Sequence, residues 1–418
     1  MPCSHYHHGV SEADRVGARA RRRGWQALVA ELTNTHPRPA RAVTVQDFRG
    51  LARRRLPRAV FDYADGGAED EAAVRGNVAA FDTVALRPRM LAGVSEVDTS
   101  CTIAGQRVTL PLILSPTGFT RMFHPDGECA VARAAARAGI PYALSTMGTT
   151  SIEDVAAAGG PDCWFQVYVW RDRSLTTELI QRSRAAGYRA LILTVDTTVA
   201  GQRERDMRHG MTIPPVLGLR TVLDGIRHPR WSWRYASSAE LTFENVVGHG
   251  PDGREDATAL GTLINSQFDP TIDWDDLAWM VEQWGGPFYV KGICRADDAR
   301  RAADVGVTGV MVSNHGGRQL DHAVAPFDAV PSIRDATGGS IEVILDGGVR
   351  RGTDIVKAIA RGATACSVGR PYVWALAAMG ESGVDRVVDI LASELRRAMQ
   401  LSGCASIADL DASLLAGA

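Results

Sequence analysis

His315 and Arg318 stand three residues apart in Ser313-Asn314-His315-Gly316-Gly317-Arg318-Gln319-Leu320-Asp321. An imidazole exchanges a proton near neutral pH, and a guanidinium can grip a carboxylate through two parallel hydrogen bonds. A base beside an anion clamp suits chemistry on a small carboxylic acid. The two glycines admit backbone angles that residues with side chains resist, so a sharp turn is expected here. Upstream, the apolar run Val305 to Val312 reads as a buried strand, which places base and clamp just past a strand end. Taken alone, the nonapeptide could equally be a polar loop with a satisfied histidine.

The elements that must position these groups follow an alternating pattern. Eight apolar runs read as strands: Leu110 to Leu114, Ile140 to Leu144, Cys163 to Val169, Ala190 to Val195, Phe288 to Val290, Val307 to Val312, Ile341 to Leu345 and Ala363 to Val368. Helical stretches such as Gly127 to Ala138, Leu175 to Ala186, Asp297 to Asp304 and Thr353 to Arg361 lie between them. Short strands apolar on both faces belong in a covered parallel sheet, and eight strand-helix units point to a closed (β/α)8 TIM barrel. Such a barrel carries its site at the C-terminal strand ends.

Polar residues do collect there. The strand ends read Ser115-Pro116-Thr117-Gly118, Ser145-Thr146, Gln166-Val167-Tyr168, Thr194-Val195-Asp196, Lys291-Gly292, Ser313-Asn314-His315, Asp346-Gly347-Gly348-Val349-Arg350 and Gly369-Arg370. Of the 46 cationic residues only Lys291 and Lys357 are lysines, so a strand-end lysine suggests a need for a compact ammonium. The last two strand ends, with their glycines, Arg350 and Arg370, are expected to form a phosphate site, the first turn supplying backbone amides as it opens a helix. Beside it, Ser145, Gln166 and Thr194 could pair with the polar edge of a flavin ring, and Lys291 could neutralise charge near its N1. No G-x-G-x-x-G follows the first strand, so a dinucleotide is not implied.

Ser313 to Asp321, Asp346 to Gly352, Thr194-Val195-Asp196 and the segment around Tyr63 together resemble the FMN-dependent α-hydroxy acid dehydrogenase family. The resemblance covers about residues 44 to 410. It is closest to the bacterial respiratory L-lactate dehydrogenases, through His228-Pro229-Arg230-Trp231-Ser232-Trp233 and Phe268-Asp269-Pro270-Thr271-Ile272-Asp273-Trp274. It implies His315 as catalytic base and Asp196 as its partner. Arg318 and Tyr63 would take the substrate carboxylate, Tyr168 the hydroxyl, and Arg203 a supporting contact. It implies FMN held by Ser145, Gln166, Thr194 and Lys291 at the ring, by the backbone of Pro116, Thr117 and Gly118, and by Asp346, Gly347, Gly348, Arg350, Gly369 and Arg370 towards the phosphate.

The expected reaction is oxidation of a small L-2-hydroxy acid, L-lactate to pyruvate first among them, with electrons passed to a quinone or another carrier. Gly118 stands where the family's oxidases often carry alanine, which argues against fast reaction with oxygen. Met147 stands where glycolate oxidase has tryptophan, so acids larger than glycolate are expected to fit. The alternatives are an oxygen-using oxidase, a lactate monooxygenase, a flavin enzyme modifying a larger metabolite, and a flavin-binding protein without turnover. The family also implies a homotetramer.

Composition narrows the partners. A net charge of -2 gives no basic field to recruit nucleic acid. Seven scattered cysteines with no C-x-x-C pair fit reduced thiols in a cytoplasm. No run of 18 apolar residues spans a bilayer. Residues 1 to 43 read as a basic, disordered extension with a His-rich start (His5, His7, His8); it lacks the apolar core of a signal peptide and is expected to stay attached. Thr44 caps an expected helix that runs to Leu56, before Pro57. After the helix holding Tyr63, Glu69, Asp70 and Glu71 suit the first turn of the next. Residues 197 to 273 form an insertion after the fourth strand. Its centre, Arg227 to Tyr235, mixes arginines with aromatics and suits either a peripheral membrane contact or a lid or oligomer contact.

Overall fold

The computed structural model describes residues 42–211, 218–246 and 267–417; the His-rich start and the arginine cluster at 19–23 lie outside the described residues. Three helices precede the barrel: α1 (Val45–Arg55), α2 (Arg58–Asp65) and α3 (Ala72–Ala79). α1 begins as expected, with a capping box in which Thr44 Oγ1 accepts from the Asp47 amide at 3.1 Å and Asp47 accepts from the Thr44 amide at 2.9 Å. Glu69, Asp70 and Glu71 are a correction: they precede α3 in a turn rather than opening it, with Glu69 and Glu71 both at positive φ. The first amides of α3 are instead satisfied from far along the chain, where Asp321 accepts from Ala73 at 2.8 Å and Ala72 at 3.2 Å.

The barrel strands are β1 (Leu112–Leu114), β2 (Tyr142–Ser145), β3 (Cys163–Val167), β4 (Ala190–Thr194), β5 (Phe288–Ile293), β6 (Gly309–Ser313), β7 (Glu342–Asp346) and β8 (Ala365–Val368). Every neighbouring pair is parallel, and the order closes from β8 back to β1, giving the expected (β/α)8 barrel. Among the described residues, the helices longer than one turn between and after them are α4 (Gly127–Ala138), α5 (Ile152–Gly159), α6 (Arg173–Ala185), α7 (Glu204–His209), α8 (Leu219–Arg227), α9 (Pro229–Ser237), α10 (Trp274–Trp284), α11 (Ala296–Val305), α12 (Pro326–Thr337), α13 (Gly352–Ala360), α14 (Arg370–Met379) and α15 (Glu381–Leu401), and a single helical turn, Thr120–Phe123, follows β1. Val305 corrects the expected sixth strand: it ends α11, and Gly306 at φ 94° turns the chain before β6 starts. β5 runs three residues past Val290, with a register irregularity between Lys291 and Ile293 that re-aims the strand tip.

Side chains fill the barrel. Ile113, Ala143, Trp164, Ile192, Tyr289, Met311 and Ile344 form one buried cluster, with Trp164 stacked on Tyr289 at 4.7 Å. A hairpin of Cys101–Ile103 and Gln106–Val108 adds Ile103 and Val108 to that cluster and so plugs the barrel. Glu342 fixes the plug by accepting from the Ala104 amide at 3.0 Å and from the Tyr289 hydroxyl at 2.7 Å. Truncating Trp164 to alanine would remove a packed ring at a cost of about 3–5 kcal/mol. The chain stays in the fold past residue 410, since Leu415–Ala416 pairs antiparallel with Ala85–Leu86. α1 packs on α14, whose first residue is Arg370, so the helical extension supports the rim of the site.

Candidate active site

All the residues singled out from the sequence line one cleft at the C-terminal strand ends, apart from Asp196, which stands behind His315. β6 delivers His315 in a left-handed backbone conformation, φ 57°, and Ser313 locks that turn. The His315 amide donates to Ser313 Oγ at 3.0 Å, and Ser313 Oγ donates to Asp346 at 2.7 Å. Asn314 pairs reciprocally with Asn77 of α3, both bonds at 2.7 Å. Gly317 packs so closely on α3 that an added Cβ would meet the Val74 amide nitrogen at 2.7 Å. The motif's non-catalytic residues therefore bind the turn to the helical extension.

His315 Nδ1 lies 2.8 Å from Asp196 Oδ1. A carboxylate only accepts, so Nδ1 carries the proton and Nε2 is left as the free acceptor. Burial lowers the imidazole's affinity for a proton further than Asp196 raises it, which keeps His315 neutral and able to act as a base. Against the cost of burial, His315 and Lys291 hold the Asp196 carboxyl below the usual carboxylate range. Gln319 fixes the segment after β4 that carries Asp196, its Nε2 donating to the carbonyls of Asp196 (2.8 Å) and Val199 (2.9 Å). Gly292 is required beside it, because a Cβ there would meet the Asp196 side chain at 2.8 Å.

Lys291 is fully buried at the tip of β5, 3.2 Å from Asp346 and 3.1 Å from Ser313 Oγ. Burial works against its charge, but Asp346 and Asp196 raise its pKa and keep the ammonium protonated. Asp346 also accepts from Ser115 at 2.7 Å. Both its oxygens thus serve protein partners, so its place is to hold Lys291 and Ser313 rather than to meet a cofactor.

On the opposite wall Arg318 and Arg203 stack over the Tyr63 ring, 4.9 and 5.7 Å from its centroid. Arg318 Nη1 donates to the carbonyls of Tyr63 (2.6 Å) and Gly66 (3.2 Å), which leaves Nε and Nη2 for a carboxylate. Tyr63 is braced by Phe119 and Phe123, and Tyr168 by Phe268, edge-on at 5.5 Å. These three phenylalanines line the cleft without having been singled out as site residues; the signals were the placing of Phe119 and Phe123 just past a strand end and of Phe268 at the head of a motif. Met147, Thr197 and Val199 complete the apolar side.

Near β7 and β8 the expected phosphate amides divide into two groups, since Gly347, Gly348 and Val349 line the cleft while the next three amides turn away from it. The Arg350 and Arg351 amides donate to Asp354 at 2.8 and 2.9 Å, and the Gly352 amide donates to Glu394 at 2.9 Å, so the start of α13 is satisfied within the protein. The cationic side chains of Arg350 and Arg370 line the cleft beside Gly347, Gly348 and Gly369. Burial pushes Arg350 down to about 10, and burial with repulsion from Arg318 and Arg350 pushes Arg370 down to about 9. Positive charge is crowded here beyond what Asp65, Glu71 and Asp354 offset, and a bound phosphate would reverse the effect. Among the described residues that line the cleft, Arg370 Nε and Gln166 Nε2 are buried donors without partners, although Gln166 Oε1 accepts from Ser145 at 3.0 Å. A phosphate beside Arg370 and a ring carbonyl beside Gln166 would satisfy both, so the residues present fit a flavin mononucleotide. Among the described residues no group of three or more His, Cys, Asp or Glu could hold a metal.

Comparison with known proteins gives the same picture. Residues 52–417 match the FMN-dependent dehydrogenase family. The chain is 43% identical over 379 residues to L-lactate dehydrogenase of Caulobacter vibrioides, covering 88% of this chain and 96% of that one. It is also 43% identical over 379 residues to L-lactate oxidase of Nostoc sp., covering 89% and 98%. A solved structure of the monotopic membrane protein (S)-mandelate dehydrogenase superposes with a TM-score of 0.87 at 38% identity, over 90% of this chain and 100% of that one.

Proposed function

The chain belongs to the FMN-dependent dehydrogenase family, and from that premise we propose that it oxidises a small L-2-hydroxy acid, L-lactate to pyruvate, and passes the electrons to a quinone or another carrier. The observation that carries this reading is the free Nε2 of a neutral, Asp196-backed His315 in the same cleft as Arg318 and Tyr63. Bound FMN supplies the acceptor for two electrons. Arg318, through Nε and Nη2, and the Tyr63 hydroxyl hold the carboxylate, with Arg203 adding positive charge. Tyr168 donates to the hydroxyl or ketone oxygen; burial raises its pKa, so it stays a donor. His315 takes the substrate proton on Nε2, and Asp196 stabilises the imidazolium that results. Gln166, Ser145, Thr194 and the backbone of Pro116 to Gly118 face the flavin, Lys291 offsets charge on its polar edge, and Arg350 and Arg370 take the phosphate.

His315→Gln tests the assignment. The variant should keep its flavin and still bind pyruvate, while anaerobic flavin reduction by L-lactate slows by about 10² to 10⁴. Reduction at the native rate would remove His315 from the role of base.

Peripheral attachment at the inner face of a membrane is supported by α8 and α9, where Val222, Leu223, Ile226 and Trp233 are exposed. Trp231 anchors α9 to the body by donating from Nε1 to the Met122 carbonyl at 2.9 Å. No described helix is long and apolar enough to cross a membrane. Replacing Val222, Leu223 and Ile226 with serine should move the protein from the membrane fraction to the supernatant, and an unchanged distribution would contradict the attachment. The homotetramer implied by the resemblance is checked by light scattering of the purified protein.

A further inference from the structure

A second cavity, of about 590 Å³, opens beside α1 and α2 and shares no lining residue with the catalytic cleft. Arg49, Arg53 and Arg58 reach it from α1 and α2, and Arg205, Arg208 and His209 reach it from α7 of the insertion. Among the described residues, two carboxylates line it. Asp65 is shared between Arg49 (2.5 Å) and Arg205 (3.2 Å), and Asp62 among Arg58 (3.4 Å), Arg205 (3.6 Å) and His209 (2.9 Å). Glu71 and Glu204, outside the cavity wall, engage Arg205 and Arg208. Arg53 has no ion pair among the described residues. His209 Nδ1 is buried and, although close to Asp62, too far out of line to make a hydrogen bond. The cavity thus has more donors than acceptors, and its donors are forks of the kind that grip tetrahedral oxyanions.

We propose that this cavity is a second anion site, taking a phosphate group that ties the insertion to α1 and α2. The occupant would bridge two walls that otherwise meet through a few shared carboxylates. Both walls lead to the catalytic cleft. α7 begins directly after Arg203, and α2 is followed by Gly66, whose carbonyl accepts from Arg370 at 2.6 Å and Arg318 at 3.2 Å. A filled cavity therefore steadies Tyr63 and Arg203 from outside. The phosphate comes either from solution or from a lipid headgroup; α8, with its exposed Val222, Leu223 and Ile226, lies against α2 through Asp224 and the Arg58 amide. The site stands apart from the hydroxy acid reading, because its residues take no part in that chemistry.

The test uses the FMN-loaded protein, so that the cofactor's own phosphate site is filled. Inorganic phosphate and pyrophosphate are titrated by calorimetry. Vesicles of phosphatidylglycerol or of phosphatidylcholine are tested by co-sedimentation. Limited proteolysis follows the insertion in both arms. The double variant Arg53→Glu/Arg58→Glu changes exposed side chains and should keep native flavin content and reduction by L-lactate, which shows that it is folded. Saturable phosphate binding that protects the insertion and weakens about tenfold or more in the variant identifies a solution ligand. Binding to phosphatidylglycerol vesicles alone, lost in the variant, identifies a headgroup. Absence of both, or binding of either kind that survives the double charge reversal, overturns the proposal.

Discussion

Replacing Asp196 with asparagine isolates the electrostatic part of base catalysis while leaving the side chain's shape. In the native protein the carboxylate lies 2.8 Å from His315 Nδ1, with both groups half-buried. An opposite charge at such range shifts a pKa by about 1–3 units, and each unit is about 1.4 kcal/mol. The imidazolium that forms as Nε2 takes the proton should therefore lose about 1.4–4 kcal/mol of stabilisation. Flavin reduction would slow by about 10- to 10³-fold. The pH dependence fixes the sign. Burial already sets the His315 pKa below its ordinary 6.5, so native kcat/KM should fall only as the pH drops below that value. Asp196 opposes that lowering, so its loss moves the acid limb to still lower pH while the plateau falls. Anaerobic stopped-flow reduction by L-lactate across pH reads both quantities. A near-native plateau with an unmoved limb would refute the roles given to both residues.

Arg370→Met should weaken FMN binding about 10- to 150-fold, the value of a charge-assisted hydrogen bond of about 1.5–3 kcal/mol; flavin fluorescence released on dilution measures it, and undiminished affinity would count against the phosphate assignment. Gly118→Ala would bring a Cβ to 2.8 Å from Met147 Cβ and 3.2 Å from its carbonyl oxygen, neither of which is a flexible side-chain end. The expected cost is about 1–3 kcal/mol, visible as a lower Tm that Met147→Gly restores; an unchanged Tm would show that the two strand ends move apart freely.

Much of this was legible in the sequence because a barrel strand announces itself. Runs such as Ala190 to Val195 are buried on both faces, and the polar residue that follows each run sits at the rim. The misreadings have physical causes. Val305 continues an apolar run, and only the positive φ of Gly306 separates helix end from strand start. The stretch after β7 looks like a free helix N-terminus, but Asp354 and Glu394 take the Arg350, Arg351 and Gly352 amides from the helix itself and from α15. Asp346 reads as a cofactor ligand from its position, although long-range contacts with Ser115, Ser313 and Lys291 give it another task. The Cys101–Val108 hairpin was missed because three-residue strands around Ala104-Gly105 carry no measurable alternation. The helices of the insertion were equally hidden, since α8 and α9 are only nine residues each and leave much of their apolar surface exposed rather than turned to the core.

The most direct measurement is anaerobic titration of the purified protein with L-lactate, followed by flavin absorbance. The expected result is a yellow protein with one FMN per chain that bleaches fully and yields one pyruvate for each flavin reduced. A colourless protein that cannot be reconstituted with FMN, or a bound flavin left oxidised by glycolate, L-lactate, longer 2-hydroxy acids and mandelate alike, would contradict it.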